Sequence, residues 1–388
     1  MAEGTVRVVH LTDIHFSENN FFYGVYGKSR LPHRHGHDPT ALIALDAKLK
    51  ELDFDLLIVS GDLSRVGHVD SFSYVKNWLY GSIPTPGGQS IGLGAKNLNG
   101  DPAKKRCFVV PGNHDCFNDN LRQHSLANYH LFFPDFQRNT IEKTEINGIN
   151  INVHLYDSTF DKGGFAKGFI DPSSMRPWQS DDKTLDLVVV HHHLAQLPEQ
   201  KREKSLELIN VGDFMSFLLS RHINGVFFGH THDSFFERIS AEVLRNQMKN
   251  PSRWRRWLRN NFPRFFSGQP LSSLDFPKIA TRGGRYPSFD KFFEYLYIKH
   301  VLHKDINGPD EFDEPKRFHD HVRSFRSDYS DNLARICKRK VAFSMAPSPT
   351  YHESEKKGFH VVNFQWDGSK FLYGCERFEF DGGAFVLT

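Results

Sequence analysis

Five apolar runs along the chain share one design. Each is rich in β-branched and aromatic residues, and each stops abruptly at polar ones. They are "VRVVHLTDIH" (6–15), "FDLLIVSGDL" (54–63), "KRCFVVPGNHD" (105–115), "LDLVVVHHH" (185–193) and "INGVFFGHTH" (223–232). Continuous apolar runs of this length predict strands buried on both faces. Helical spacing lies between several of them. Asp38 is placed as an N-cap with Pro39 in the first turn, and Leu42, Leu45, Leu49 and Leu52 follow near the helical period. Residues 68–80 form a second helical candidate, and Asp213 caps a third through "FMSFLLSRH". In "TEINGININVHLYDS" (144–158) the Asn147-Gly148 pair predicts a tight hairpin instead. Strands alternating with helices, with a hairpin among them, predict a mixed α/β fold rather than a purely parallel one, compatible with two facing β-sheets.

After the fifth run the pattern changes. "SFFERISAEVLRNQMKNPSRWRRWLRNNFPRFF" and "SFDKFFEYLYIKHVLHKD" read as helices, and strand-like runs return at "RKVAFSMAPS" (339–348), "GFHVVNFQWDG" (358–368) and "FLYGCERFEFDGG" (371–383). The chain therefore divides into a core at 1–233, a mostly helical insertion at 234–338, and C-terminal strands at 339–388 that complete the core.

Composition narrows the partners. With 388 residues, 39% of them hydrophobic and 36 of them Phe, a sizeable core can form. A net charge of +3 makes no global demand for nucleic acid or membrane. No run approaches the roughly 18–20 apolar residues of a membrane span. The start "MAEGTVRVVHLTD" lacks the basic-then-apolar pattern of a signal peptide. Four cysteines (Cys107, Cys116, Cys337, Cys375) without a CxxC pair are expected to be reduced thiols, with Cys107 and Cys375 in strands, in a cytoplasmic protein. The 22 histidines are more informative, because they cluster at the ends of the apolar runs.

Those ends are where open α/β sheets bind ligands. They carry Asp13 and His15, then Asp62, then Asn113, His114 and Asp115, then His191 to His193, and last His230 and His232. Each has an ordinary reading alone: a turn aspartate after Gly61, a loop asparagine after Gly112, a solvated strand exit at His191–His193. Those readings would have to hold at five successive strand ends together. Carboxylate, imidazole and amide oxygen without thiolate suit divalent manganese, iron, zinc, nickel or cobalt. Seven such ligands exceed what one ion takes once a reactive water must fit. Two ions sharing a carboxylate fit better, with His230 and His232 serving adjacent ions.

The ordered series "DIH", "GDL", "GNHD", "HH", "GHTH" resembles the calcineurin-like metallophosphoesterase superfamily. The resemblance covers 6–232 and the C-terminal strands, but not the insertion. It implies two facing β-sheets flanked by helices, a four-layer sandwich, with a dinuclear metal centre at the strand ends, manganese favoured. It also implies that Asp13, His15 and His232 hold one ion and Asn113, His191 and His230 the other, with Asp62 bridging. His114 would stand beside the scissile phosphate with Asp115 as its orienting partner. His192 and His193 replace the more usual His-Pro, leaving His191 or His192 as the ligand; His191, directly after "LVVV", is preferred. Such a centre clamps an in-line displacement at phosphorus by a bridging hydroxide, neutralises phosphoryl charge, and leaves His114 to protonate the departing alkoxide, its tautomer held by Asp115.

The expected activity is hydrolysis of a phosphodiester, small or cyclic and nucleotide-type. The loop "FFYGVYGKSRLPHRHGHD" (21–38) offers aromatics to a base and Lys28, Arg30 and Arg34 to phosphate; His33, His35 and His37 are a third metal locus or simply loop residues. Ser348 and Thr350 either line the pocket or serve as turn residues beside Pro347 and Pro349. In 245–266, Trp254, Trp257, Phe262, Phe265 and Phe266 interleave with arginines, a pattern that binds single-stranded nucleic acid or, more plainly, makes an amphipathic helix. A nuclease on DNA or RNA and a phosphomonoesterase are the alternatives. A binding protein with a relic metal site comes last.

Overall fold

The computed structural model describes residues 4–17, 36–85, 87–94, 106–117, 125–134, 136, 140–159, 168–176, 178, 181–194, 208, 214, 217–218, 221–238, 341–351, 354 and 356–388. Most of the expected insertion, the loop cations Lys28, Arg30 and Arg34, His33, His35, Cys337 and the cap of the third expected helix lie outside these residues.

Two six-stranded sheets form the core. In the first, β1 (Thr5–Leu11) has β2 (Leu56–Ser60) parallel on one side, followed by β5 (Cys107–Val110). On its other side β12 (Gly358–Trp366), β13 (Phe371–Phe380) and β14 (Phe385–Leu387) run as an antiparallel meander. The second sheet is ordered β10 (Phe235–Arg238), β11 (Ala342–Met345), β9 (Gly225–Phe228), β8 (Leu185–Val189), β7 (Ile149–Leu155) and β6 (Thr140–Ile146). A short ribbon pairs β3 (Ile83–Pro84) with β4 (Ser90–Ile91). The fold is thus mixed α/β, and the sheets face each other. Inward residues of both, such as Val8 and Val362 from the first and Val153 and Leu187 from the second, join one apolar core. Phe227 and Phe364 meet across it with ring centroids 6.5 Å apart.

Two of the expected helices form where the pattern placed them. In α1 (Pro39–Glu51) the Asp38 carboxylate accepts from the N–H groups of Thr40 and Ala41, and Leu42, Leu45 and Leu49 are buried. In α2 (Val69–Tyr80) Phe72, Val75, Trp78 and Leu79 are buried. Asp46 joins the two helices by accepting from the Trp78 indole N–H at 3.0 Å. A short α3 (Ala127–Phe132) was not foreseen. The Asn147-Gly148 hairpin is present as β6–β7, with φ of 53° and 76°, both in the left-handed region that such a turn requires. Cys107, Cys116 and Cys375 are free thiols, the first two buried. Among the described residues no helix is long and apolar enough to cross a membrane.

Two features depart from the sequence pattern. Phe235–Arg238, expected as the start of a helical insertion, is a strand antiparallel to β11; ladder pairing with a distant segment overrides the local helical reading. The C-terminal strands also divide between the sheets, since β11 inserts parallel beside β9 whereas β12 pairs with β1.

A buried polar chain ties the sheets together. His10 Nε2 meets Ser60 Oγ at 2.9 Å and His10 Nδ1 meets Ser344 Oγ at 2.8 Å. Ser344 Oγ lies 3.0 Å from His360 Nδ1, and His360 Nε2 lies 3.0 Å from Ser234 Oγ. Burial depresses both imidazoles, His10 well below its usual range and His360 to about 3. Each is therefore neutral and can donate from one nitrogen while accepting at the other. The chain connects β1, β2 and β12 to β11 and to the entry of β10, directly below the strand ends that carry Asp13 and Asp62. Ser344→Ala would strip the Nδ1 atoms of both histidines of their partner; urea unfolding should show a loss of about 1–3 kcal/mol, and an unshifted midpoint would mean that the chain does not hold the sheets.

Candidate metal centre

The strand ends do not simply continue their pleat. Asp13, His15, Asp62, His230 and His232 have φ of 54°, 50°, 50°, 79° and 59°. Among the described residues other than glycine, only Asn147 of the hairpin joins them in the left-handed region. This backbone is uncommon and costly for such residues, and cross-strand bonds hold it. Asp13 N–H donates to Gly61 O at 3.0 Å, His15 N–H to Asp62 O at 2.9 Å, and Gly229 N–H to His191 O at 2.9 Å. His230 N–H donates to Asp13 Oδ2 at 2.9 Å. The loops from both sheets thereby brace one another, and each bends so that its polar side chains converge.

The convergence forms two groups of donor atoms around Asp62. Asp62 Oδ2 lies 3.7 Å from His15 Nε2, which is 3.1 Å from His232 Nε2 and 3.9 Å from Asp13 Oδ1. His232 Nε2 and Asp13 Oδ1 are 3.3 Å apart. Asp62 Oδ1 lies on the other side, 3.5 Å from His191 Nε2. That nitrogen is 3.1 Å from both Asn113 Oδ1 and His230 Nδ1. All seven predicted ligands are together, and the two oxygens of one carboxylate face the two groups.

The donor chemistry fits divalent ions. His191 Nδ1 donates to Ser60 O at 2.8 Å, so the neutral ring presents a lone pair at Nε2 to Asn113 Oδ1 and Asp62 Oδ1, themselves electron-pair donors. Asp13 Oδ1 is buried without a hydrogen-bond donor. Two ligand atoms each about 2.0–2.2 Å from one ion stand about 3–3.5 Å apart, the spacing of the closest contacts here. Burial keeps His15, His191 and His230 below the usual imidazole range, hence neutral and ready to ligate. Burial, aided by the Asp13 and Asp115 charges, pushes Asp62 well above the usual carboxylate range. For Asp13, burial acts the same way, but the His232 ring beside it opposes burial and holds it low. Cations between the groups would stabilise both carboxylates in the charged form.

The motif glycines have a steric reason. A Cβ on Gly61 would strike the His191 ring, one on Gly112 the Asp62 carboxylate, and one on Gly229 the side chains of Thr12 and Asp13. Each lets a ligand from another strand approach the backbone.

Three sequence expectations are refined. Between the two candidate histidines, His191 is the ring beside Asp62, Asn113 and His230, whereas His192 Nδ1 turns to Ser158 Oγ at 2.7 Å. Asp115 does not face the His114 imidazole. Its oxygens accept from the N–H groups of Leu63, Ser64 and Gly112 at 3.1, 2.8 and 2.9 Å, locking the two ligand loops together. His114 Nδ1 instead meets Arg65 O at 2.7 Å, while the ring stands beside His15 and Asp62. Burial lowers His114 to about 4, against the raising effect of that carbonyl. His37 stacks on Phe16 at 4.4 Å and accepts from Ser17 N–H at 3.0 Å, which makes it a packing residue of the loop base.

The sequence left Ser348 and Thr350 between pocket and turn. Both are fully buried, and their hydroxyls donate to the carbonyls of Asp13 and Ile14, clasping the first ligand loop from behind. Tyr351 was missed; its ring lies 4.6 Å from His15 and 4.7 Å from His232. The run of hydroxyls around two prolines after a strand was the available signal.

Comparison with known proteins identifies the family. The family model of the calcineurin-like phosphoesterases matches residues 6–234. A "Probable cyclic nucleotide phosphodiesterase" of Vesicomyosocius okutanii is 23% identical over 61% of the chain and 83% of the relative. One of the same printed name from Ruthia magnifica is 24% identical over 51% and 70%. The "Uncharacterized metallophosphoesterase-like protein YydB" of Bacillus subtilis is 20% identical over 95% of the chain and 83% of that protein.

Asp62→Ala should remove bound metal, as read by elemental analysis of the purified protein, because neither donor group is then closed. Gly112→Ala should do the same with far-ultraviolet circular dichroism unchanged; full metal occupancy in both would refute the shared carboxylate.

Proposed function

The chain belongs to the calcineurin-like phosphoesterase family, and from that premise we propose that it is a metal-dependent phosphodiesterase for a small, nucleotide-type phosphodiester, cyclic nucleotides included. The observation that carries this reading is the Asp62 carboxylate shared between two groups of ligand atoms. The printed names of two relatives support the substrate class.

In this reading Asp13, His15 and His232 hold one divalent ion, Asn113, His191 and His230 the other, and Asp62 both, with manganese favoured. Bound ions supply Lewis-acid activation of the attacking water and neutralise charge on the phosphoryl oxygens. The chain's own residues do the rest. His114, fixed through Nδ1 by the Arg65 carbonyl, stands beside His15 and Asp62. Burial keeps it neutral, so it would act as an acid only after the bound phosphate anion raises its basicity and Nε2 takes a proton from solvent, which it then passes to the departing ester oxygen. Asp115 acts at one remove, by holding the Gly112–His114 turn against the Asp62 loop. Buried carboxylates and neutral imidazoles exclude bulk water, which strengthens every charge interaction at the phosphorus. The basic-aromatic stretch 245–266, on which the nuclease alternative rests, lies outside the described residues.

Bis(p-nitrophenyl) phosphate should be hydrolysed with added manganese and not after chelation; inactivity under both conditions would overturn the proposal. Cyclic nucleotides, linear dinucleotides and single-stranded DNA then rank the substrate classes. His114→Ala should retain both ions yet lose diester turnover by about 10²–10⁴-fold; unchanged turnover would remove His114 from the chemistry.

A further inference from the structure

We propose that Tyr351 is a substrate-contacting residue of this site, its ring packing against the flat organic group carried on the phosphorus and so favouring nucleoside or aryl esters over small alkyl ones. This deepens the phosphodiesterase reading and rests on it.

The His15 ring lies at the floor of the first donor group, with three rings around it. Its centroid is 4.6 Å from His114, 5.0 Å from His232 and 4.6 Å from Tyr351. These three are half-buried, whereas the side chains of Asp13, His15, Asp62 and His191 are sealed, at 0–2% exposure. His232 reaches 24%. Among the described rings around the site, His114, His232 and Tyr351 are thus the ones that keep part of their surface in solvent. A phosphoryl group held against the ligand atoms must send its ester substituents out past them. His114 and His232 present polar nitrogens there, and Tyr351 presents an aromatic face.

That face is held in place beforehand. Tyr351 N–H donates to Ser348 Oγ at 2.9 Å, and its backbone bridges to His37. Thr350 on one side is tied to Ile14 O by its hydroxyl and to Asp38 N–H by its carbonyl. A ring fixed in this way forfeits little freedom on contact with a ligand. Tyr351 also lies outside the 6–234 span of the family model. It comes from the C-terminal segment rather than from the ligand motifs.

The test compares Tyr351→Leu and Tyr351→Phe with the native protein, loaded with manganese. In Tyr351→Leu both ions should remain, and KM for bis(p-nitrophenyl) phosphate should rise about five- to a hundredfold, the range of ring–base stacking, with kcat changed far less. Competitive inhibition by inorganic phosphate, which has no organic group, should not change. Tyr351→Phe should restore the native KM. A purely structural ring would give metal loss, or an equal weakening of phosphate and aryl ester; either result, or an unmoved KM, overturns the proposal. Calorimetric titration of adenosine monophosphate against inorganic phosphate reads the same contrast without turnover. If the native protein hydrolyses no diester, the phosphodiesterase reading falls, and the calorimetric ratio in Tyr351→Leu still decides the contact.

Discussion

The Asp62 carboxylate is the constraint from which the site is built. It is buried, close to two other buried carboxylates, and each of its oxygens faces a separate cluster of electron-pair donors. Burying an ionised carboxylate without a cation or a sufficient set of donors is strongly unfavourable. That conflict appears as burial and the neighbouring Asp13 and Asp115 charges pushing the carboxyl group towards its neutral form. Divalent ions held between the clusters would resolve it. The site thus carries an electrostatic deficit that bound cations would offset.

Much of the surrounding structure serves to keep that deficit in shape. Asp13, His15, Asp62, His230 and His232 occupy left-handed backbone, a conformation that persists only where neighbours over-determine it. Here the neighbours are the reciprocal loop bonds between the Asp13 and Asp62 turns, the His230 amide on Asp13, and the Asp115 carboxylate across Leu63, Ser64 and Gly112. Below them, the His10–Ser344–His360 chain joins strands from both sheets. Because the ligands are divided between the sheets, any sliding of one sheet on the other would separate the two donor groups. A directional polar chain resists such sliding in a way that apolar packing alone does not.

The C-terminal segment does more than complete the sheets. β11 enters beside β9, and the residues just after it, Ser348 and Thr350, hold the Asp13–Ile14 backbone from behind. The next residue, Tyr351, brings a ring against His15 and His232. A region some 335 positions away in sequence from the first ligand loop therefore fixes that loop and packs beside it.

The sequence by itself determined the class of fold and singled out the polar residues that the fold brings together at the strand ends. The apolar runs, the helical spacing of Leu42, Leu45 and Leu49, and the Asn147-Gly148 turn are local signals, and so are the polar residues that end each strand; a single stretch of chain carries each of them. What only the tertiary structure decided depends on distant segments meeting. The strand at Phe235–Arg238 exists because β11 pairs with it, against a helical local pattern. Whether His191 or His192 turns inward follows from Ser60 O and Ser158 Oγ each capturing one ring. Asp115 was legible as a site residue, but its partners, three backbone amides rather than the neighbouring imidazole, were not. Tyr351 carried no mark of its own, since a tyrosine after a proline-rich turn becomes part of a site only when the fold places His15 and His232 against it. Residue type records what chemistry is available. Which groups share a space is set by packing between segments hundreds of positions apart, and no local pattern encodes it.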